Sequence, residues 1–91
     1  MSIEMAEILS LSLLMERMLD TEVLSDEESR SLLAEILAAQ RSMQQGDAST
    51  ARAHVEELSL LLDRLLEAEA LTLHDGRAVI QATDVMLGRK A

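Results

Sequence analysis

Residues 11–25 read LSLLMERMLDTEVLS, and residues 58–72 read LSLLLDRLLEAEALT, 47 positions later. Aligning residues 11–33 with 58–80 pairs 23 residues without a gap, and nine of the pairs are identical. Leucine-rich helices match easily by chance, whereas a turn does not. Here the turn pattern L-[DE]-x-E-x-L-[ST]-x-x-[DE]-x-R occurs in both stretches. The recurrence predicts a duplicated helical hairpin.

Apolar spacing and capping residues predict two helices in the first hairpin, repeat 1, at about residues 3–45. Apolar residues recur at helical spacing over about residues 3–19, which predicts helix 1. Ser25 followed by Glu28 is a capping-box signature for the start of helix 2, because each side chain satisfies the free N–H of the other residue. Gly46 is suited to the left-handed residue that ends this helix.

The second hairpin, repeat 2, covers about residues 48–88. Helix 3 is predicted to start between residues 47 and 49 and to end near residue 69. Thr72 followed by Asp75 forms a second, weaker capping box for helix 4, whose apolar pattern stops at Gly88.

A four-helix bundle follows from this organisation. One hairpin cannot bury its apolar face alone, so two packed hairpins complete a core. Short connections favour antiparallel neighbours. We therefore expect an all-α, up-down four-helix bundle made of two repeated hairpins, forming one domain over residues 1–91. The alternative is a three-helix bundle from which helix 1 projects or exchanges into a partner.

Composition narrows the function classes. The chain has 91 residues, no Cys, no aromatic residue and a net charge of −9. Nucleic-acid binding draws on Lys and Arg contacts to phosphates and on aromatic stacking, so no nucleic-acid partner is expected. Membrane-surface helices usually carry a basic polar face, so no membrane partner is expected either.

The first twenty residues are apolar but interrupted by charge. They contain Glu4, Glu7, Glu16 and Arg17, and no basic segment precedes the apolar part. This pattern is not typical of a signal peptide or of a membrane span. A cytoplasmic location is expected if the chain is complete; for a module of a larger protein the location stays open.

No catalytic constellation is visible in the sequence. The two histidines, His54 and His74, have no second ligand at the i, i+4 spacing of a helical zinc site. The sequence has no nucleophile-elbow motif and no Gly-rich phosphate loop. We therefore predict a protein that is not an enzyme, with no catalytic residues, no cofactor and no metal site.

Helix 1 carries more apolar residues than one buried stripe requires. At about 100° per residue, Ala6, Leu9 and Leu13 point away from its main apolar face. Leu60 occupies the position of Leu13 in the second hairpin, between Glu56, Glu57 and Arg64. These residues predict an interface at Leu9, Leu13 and Leu60, formed with a second copy or with a partner helix. The alternative is a helix 1 that is buried on two sides.

The connections inside the two hairpins, which we call the corners, lie at the same end of the bundle. Their sequences predict that this end is acidic. This acidic end holds eight of the seventeen acidic residues, namely Asp20, Glu22, Asp26, Glu27, Glu28, Glu67, Glu69 and Asp75. Four of them, Asp26, Glu27, Glu28 and Asp75, lie in first turns and are expected to complement helix dipoles, and Glu22 and Glu69 are expected to pair with Arg30 or Arg77. A docking site for a basic partner, centred on Glu22 and Glu69, or a cation site is the alternative.

The central part of the chain resembles a known family. The run Leu32-Leu33-x-x-x-Leu37-x-Ala39, followed by Gly46 and then by Ala51 and Val55, resembles the FIMAH-type helical domain of modular secreted bacterial proteins. The resemblance covers roughly residues 19–87. It departs from the family where an aromatic residue is expected on the third helix, and it has no Asn- or Lys-rich turn. The resemblance implies a non-catalytic accessory module outside the cell.

The residues themselves favour a non-catalytic helical protein–protein interaction module that self-associates through helix 1 into a homo-oligomer. The alternative is an acidic regulatory or docking protein that binds a basic partner through its acidic end. A bundle that binds a small ligand or a metal is the third possibility.

Overall fold

The computed structural model describes residues 3–89, which form four α-helices. The helices are α1 (Met5–Asp20), α2 (Asp26–Gln44), α3 (Ala48–Glu67) and α4 (Leu73–Met86). The predicted all-α four-helix fold is confirmed. Residues 1, 2, 90 and 91, which belong to the predicted domain 1–91, lie outside the described residues.

The helices form a closed ring in which each packs against two neighbours. The backbone of α1 approaches α2 and α4 closely, and the backbone of α3 approaches the same two helices, whereas within residues 3–89 the backbones of the diagonal pairs stay further apart. One depression between α1 and α4 is lined by residues from Ala6 to Leu14 and from Ala78 to Met86, and the next is lined by residues from Leu14 to Thr21 and from His74 to Val79, so these helices are antiparallel. Helix α1 is an integral part of the bundle, and the alternative of a projecting helix 1 is wrong for this chain.

The helix starts differ in how completely they are capped. At α2 the predicted capping box is complete: Ser25 N–H donates to Glu28 Oε1 at 2.9 Å, and Glu28 N–H donates to Ser25 Oγ at 3.2 Å. At α4 only the Asp75 N–H bond to Thr72 Oγ1, at 3.1 Å, is present. Asp75 is one methylene shorter than Glu28, and its carboxylate accepts from the Thr72 hydroxyl instead of the backbone. The predicted second box is therefore only half formed.

Helix α1 begins two residues later than the sequence pattern predicts. Glu4 precedes the first helical residue, and its N–H donates to the Glu7 carboxylate at 3.0 Å. This bond is the backward half of a capping box in which Glu4 replaces the usual Ser or Thr. The apolar Ile3 is buried just before the helix, which explains why the periodicity alone extended the prediction to it.

All four helices end in a residue with left-handed backbone conformation. Gly46 and Gly88 have φ values of 76° and 73°, as the sequence predicts for helix ends. The other two residues are glutamates, Glu22 at 58° and Glu69 at 60°. The alignment pairs these two glutamates, so the two corners share one backbone conformation. The duplication of the hairpin itself stays a prediction.

The core is entirely aliphatic apart from methionine. Each helix contributes a buried stripe, and the largest fully buried apolar side chains are Ile8, Leu11, Met15, Leu32, Ile36, Val55, Leu58, Leu62 and Val79. The buried hydroxyl groups of Ser42 and Thr83 donate to carbonyl oxygens of their own helices, at 2.9 and 2.8 Å. Among the described residues, no buried side-chain polar atom lacks a partner. Burial of aliphatic surface therefore holds the bundle together.

The polar contacts between elements all involve α3. Arg52 donates to the carbonyl oxygen of Leu87 at 3.0 Å, and Arg89, just past α4, donates to the Ser59 hydroxyl at 2.7 Å. The third contact joins α3 to α2 through a histidine and is described below. Within residues 3–89, no side-chain hydrogen bond or ion pair joins α1 to another helix. Helix α1 is held by apolar packing alone.

Candidate interaction surface

The outward side of α1 carries a group of uncharged, partly apolar residues that precedes the charged last turn of the helix. Leu9 is 50% exposed and Leu13 is 60% exposed, and Ala6 and Ser10 lie exposed beside them. These four residues form what we call the α1 outer face. The buried residues of the helix, such as Leu11 and its neighbours one turn away, point to the opposite side. Helix α1 is thus buried on one side only, and the alternative of burial on two sides is wrong for the isolated chain.

A groove between α1 and α4 continues this surface. It is an open depression with a volume of about 510 Å³, and most of its lining side chains are small or apolar. Its lining residues are Ala6, Glu7, Ser10 and Leu14 from α1 and Ala78, Gln81, Ala82, Val85 and Met86 from α4. Small side chains on both facing helices leave space that larger residues would fill, which is why a groove forms here. We call this feature the α1/α4 groove.

Val85 stands on the rim of the α1/α4 groove and was not among the residues predicted from the sequence. It is 71% exposed, the largest exposed fraction among the strongly exposed large apolar residues. Its sequence signal was weak, because a single exposed valine is common on protein surfaces. The pairs Ala6–Ser10 and Ala78–Ala82 share the i, i+4 spacing of one helix flank. That spacing could have indicated the groove only if the pairing of α1 with α4 had been known.

Charges lie at the two ends of the α1 outer face. Glu7 lines the α1/α4 groove near the start of the helix, and its Oε1 accepts the Glu4 N–H, which leaves Oε2 free for another donor. Arg17 lies near the other end and is exposed. In the described residues neither side chain takes part in an ion pair. Glu16 and Asp20 are exposed beside Arg17, so the helix beyond Leu13 carries two negative groups and one positive group.

Leu60, the third predicted interface leucine, lies on a different side of the bundle. It is 46% exposed on α3, which occupies the corner of the ring diagonally opposite α1. Its helical neighbours Glu56, Glu57 and Arg64 are exposed and charged, and Glu56 pairs with Arg52 at 3.4 Å. The structure brings Leu9 and Leu13 together and separates both from Leu60. The three leucines cannot form a single contiguous surface.

The glutamates predicted at the acidic end have a backbone role. Glu22 and Glu69 follow the last turns of α1 and α3, and their N–H groups donate to the carbonyls of Leu19 and Leu66 at 3.1 Å. These bonds satisfy carbonyl groups that a helix end leaves without partners.

The predicted pairing of Glu22 and Glu69 with Arg30 or Arg77 is wrong. Within residues 3–89 the ion pairs are Arg52–Glu56 and His54–Glu35. All four predicted partners are exposed. An exposed ion pair gains little free energy and costs side-chain entropy, which explains why these long side chains remain apart.

The acidic side chains at this end do not converge on a common point. Glu28 and Asp75 are engaged in helix caps, and the other six are exposed to solvent. Over residues 3–89, no three acidic or histidine side chains are close enough to hold a metal ion. The acidic end is therefore a diffuse negative surface, to which the structure adds no metal-binding geometry.

The histidines occupy different environments. His54 Nδ1 lies 3.0 Å from Glu35 Oε2, and both side chains are partly buried between α3 and α2. This contact joins two helices and could not be predicted from the sequence, because residues 35 and 54 are related only by how α2 of the first hairpin packs against α3 of the second. His74 is exposed in the first turn of α4. His54 therefore links α3 to α2 through Glu35.

Comparisons of the chain with protein-family models, with curated proteins and with solved structures gave no match. The resemblance to the FIMAH-type domain stays a prediction. In the region of residues 3–89, none of the four helices combines the length and apolar character that crossing a membrane requires. Because no comparison indicates a function, the function has to be inferred from the residues on the surface of this chain.

Proposed function

We propose that this chain is a non-catalytic helical interaction module that associates with a second copy of itself through the α1 outer face. The observation that supports this proposal is the joint exposure of Leu9 and Leu13 beside the α1/α4 groove. Scattered exposed leucines need no explanation, but adjoining apolar residues next to an apolar groove are typical of interfaces.

The size of the surface suggests a weak, reversible association. A helix of 16 residues is about 24 Å long, and two packed helices present a face about 20 Å wide. Such a face buries roughly 500–800 Å² on each copy, at or below the area of a standard stable interface. We therefore expect dimerisation in the micromolar range of dissociation constants.

The test is sedimentation equilibrium over protein concentrations from about 10 μM to about 1 mM, which brackets the expected affinity. The unmodified chain is expected to approach the mass of a dimer. Leu9→Glu combined with Leu13→Glu is expected to weaken association at least tenfold for each substitution, because each carboxylate would have to leave water when the two helices pack together. Circular dichroism should stay helical, since both positions are exposed.

Leu60→Glu is the matched control variant. Leu60 is almost as exposed as Leu9, sits in mid-helix on a surface helix and is the same residue type. This variant is expected to dimerise like the unmodified chain. Equal weakening by the α1 and α3 variants would contradict a specific role of α1, and a chain that stays monomeric at the highest concentration would contradict self-association.

A second candidate function is docking of a basic partner at the acidic end. It is favoured by six exposed carboxylates that the described residues leave without an ion pair, on a chain of net charge −9. Titration with a Lys- and Arg-rich peptide, followed by calorimetry, tests it. Asp26→Asn with Glu27→Gln should weaken binding if the acidic end is the site, whereas Glu56→Gln with Glu57→Gln on α3 serves as the charge-matched control. Equal effects of the two pairs would indicate attraction by net charge only.

A further inference from the structure

The acidic end of the bundle combines carboxylates with exposed apolar side chains. Residues 18–29 and 65–76, which form its two corners and the adjoining helix turns, contain the eight acidic residues of this end and no Lys or Arg. In the same two segments Val23 is 40% exposed and Leu73 is 57% exposed. Carboxylates alone attract any cation, whereas exposed apolar side chains among them favour a partner that is both basic and apolar.

A depression at the second corner lies directly beside Leu73. It is open and has a volume of about 510 Å³. Its lining residues are Leu66, Glu69, Leu71, Thr72 and Leu73. Leu71 is buried and packs on the backbone of Gly76, since a Cβ atom added at that glycine would lie 2.8 Å from Leu71 Cδ2. Three leucines and the exposed carboxylate of Glu69 thus line one recess.

The two corners lie side by side at this end. On one side of the bundle, Thr21 of the first corner and His74 of α4 line a common depression. On another side, Glu28 of α2 and Leu65 of α3 line a second one. Neighbouring helices pack about 8–10 Å apart, so one short segment of a partner can cross both corners.

The arginines near this end do not neutralise it. They lie three or four residues inside the helices, about 4.5–6 Å from the helix ends along the axis, and are Arg17, Arg30, Arg64 and Arg77. Within residues 3–89 none of the four takes part in an ion pair. Residues 16–30 and 63–77, counted with these four arginines, hold ten acidic residues and a net charge of −6. Two thirds of the net charge of −9 is thus concentrated on one third of the chain.

Resting on the second candidate function, we infer that the acidic end binds a Lys- or Arg-rich segment of a partner protein that carries one large apolar side chain. This side chain enters the recess and packs on Leu73, while the basic side chains face the exposed carboxylates of both corners, such as Glu22 and Glu69. An inorganic cation would satisfy the carboxylates and leave Leu73 in water. The surface is separate from the α1 outer face, so docking is compatible with dimerisation through that face.

Two peptides of equal charge separate the apolar contact from the attraction between charges. Both are rich in Lys, and one has a single central leucine where the other has alanine. In calorimetric titrations at about 0.1 M NaCl, the leucine peptide is expected to bind about three- to tenfold more tightly, because only leucine fills the recess. Raising NaCl to about 1 M shortens the screening length from about 10 Å to about 3 Å and should weaken both peptides.

Variants at exposed leucines locate the apolar contact. Leu73→Gln removes the apolar surface without adding charge, and it is expected to lower the affinity for the leucine peptide to that for the alanine peptide. Leu60→Gln is the matched control, since Leu60 is 46% exposed on α3 away from the corners, and it should bind both peptides like the unmodified chain. Both positions are exposed, so circular dichroism should stay helical. Leu73→Ala is a second variant that keeps a strong helix former at the start of α4.

Equal affinities for the two peptides, or equal effects of the substitutions at Leu73 and Leu60, would overturn the inference. If Asp26→Asn with Glu27→Gln still weakened binding, the second candidate function would stand, with attraction by charge alone. Absence of binding by either peptide at low salt would contradict both.

Amide chemical shifts of the isotope-labelled chain give an independent readout of where the leucine peptide binds. The largest changes are expected within residues 20–27 and 66–75. Largest changes within residues 6–13 would place the peptide on the α1 outer face and would also overturn the inference.

Discussion

Helices α1 and α3 have nearly the same sequence in their last halves and differ in their first halves. Leu13 and Leu60 occupy aligned positions, and both are largely exposed. One turn before Leu13 lie the uncharged residues Leu9 and Ser10, whereas one turn before Leu60 lie Glu56 and Glu57. One turn after, both leucines are followed by an exposed acidic residue and an exposed arginine. Helix α3 also makes every polar contact between elements seen in residues 3–89, and α1 makes none. The aligned residues include buried core positions such as Leu11 and Leu58, and the residues that differ change the charge of the outer sides of the two helices.

The largest expected effect is a difference in stability between variants on the buried side of α1 and variants on its exposed side. Leu11 is completely buried, so Leu11→Ala should lower the free energy of unfolding by about 3 kcal/mol, because burial is reduced and a cavity is left behind. Leu13→Ala should change it by less than about 0.5 kcal/mol, because the side chain is exposed. Urea denaturation at low micromolar concentration, where the monomer prevails, measures both. Similar reductions for the two variants would contradict the assignment of Leu13 to an outer face.

Substitution by glycine should change the free energy of unfolding in the same direction at the corners that follow α1 and α3. Glu22 and Glu69 hold left-handed conformations that favour glycine, so Glu22→Gly and Glu69→Gly should each raise the free energy of unfolding by about 0.5–1 kcal/mol. Thermal or urea unfolding is the measurement. Glu57→Gly, inside α3, is the control and should lower stability by about 1 kcal/mol. Loss of stability in both corner variants would indicate that the glutamate side chains make contributions beyond the backbone.

The contact between His54 of α3 and Glu35 of α2 should be measurable as a coupling free energy between the two side chains. A double-mutant cycle with Glu35→Ala and His54→Ala is expected to give a coupling free energy of about 0.5–1 kcal/mol, since the pair is partly buried at 3.0 Å. Arg17→Ala on α1 is the comparison and should leave monomer stability within about 0.5 kcal/mol. A coupling free energy near zero between Glu35 and His54 would show that this polar contact does not stabilise α3. It would contradict the proposed difference between α3 and α1, which is held by apolar packing.

The smallest expected effect concerns the start of α3. Hydrogen bonds from the Thr50 hydroxyl and the Thr50 N–H hold the pKa of Asp47 below its ordinary value of 3.8. A lowered pKa in the folded state contributes stability that is present above pH 3.8 and is lost as the pH falls through the lower, folded value. Asp47→Asn retains a capping oxygen but cannot titrate.

Unfolding curves of the two proteins over a pH series check this prediction. The small advantage of the unmodified chain over the Asn variant should be constant above about pH 5 and should shrink below pH 3.8. An advantage that persists at lower pH would contradict the assigned cause.

The fold could be predicted from the sequence because its determinants are local. Apolar periodicity located the four helices, Ser25 and Glu28 located the start of α2, and Gly46 and Gly88 located two of the helix ends. The left-handed glutamates were missed, because their conformation is set by position after a helix and glutamate gives no signal of it. The half-formed cap at Thr72 depended on one methylene of side-chain length.

The candidate surface could be predicted only in part. The exposure of Leu9 and Leu13 followed from helical geometry, and the structure agrees with it. The α1/α4 groove and the His54–Glu35 contact depend on which helices are neighbours and at what register, which one sequence does not specify. Leu60 was grouped with Leu13 by alignment, and only the ring order of the helices separates them.

The most direct test of self-association through α1 is the mass of the unmodified chain at two salt concentrations. Two copies that each carry a charge of −9 repel one another, and raising NaCl from about 0.1 M to about 1 M shortens the screening length from about 10 Å to about 3 Å. Sedimentation equilibrium should therefore show a dimer that becomes tighter at high salt, that disappears on Leu9→Glu with Leu13→Glu, and that survives Leu60→Glu. A monomer at every concentration and at both salt levels would contradict the account.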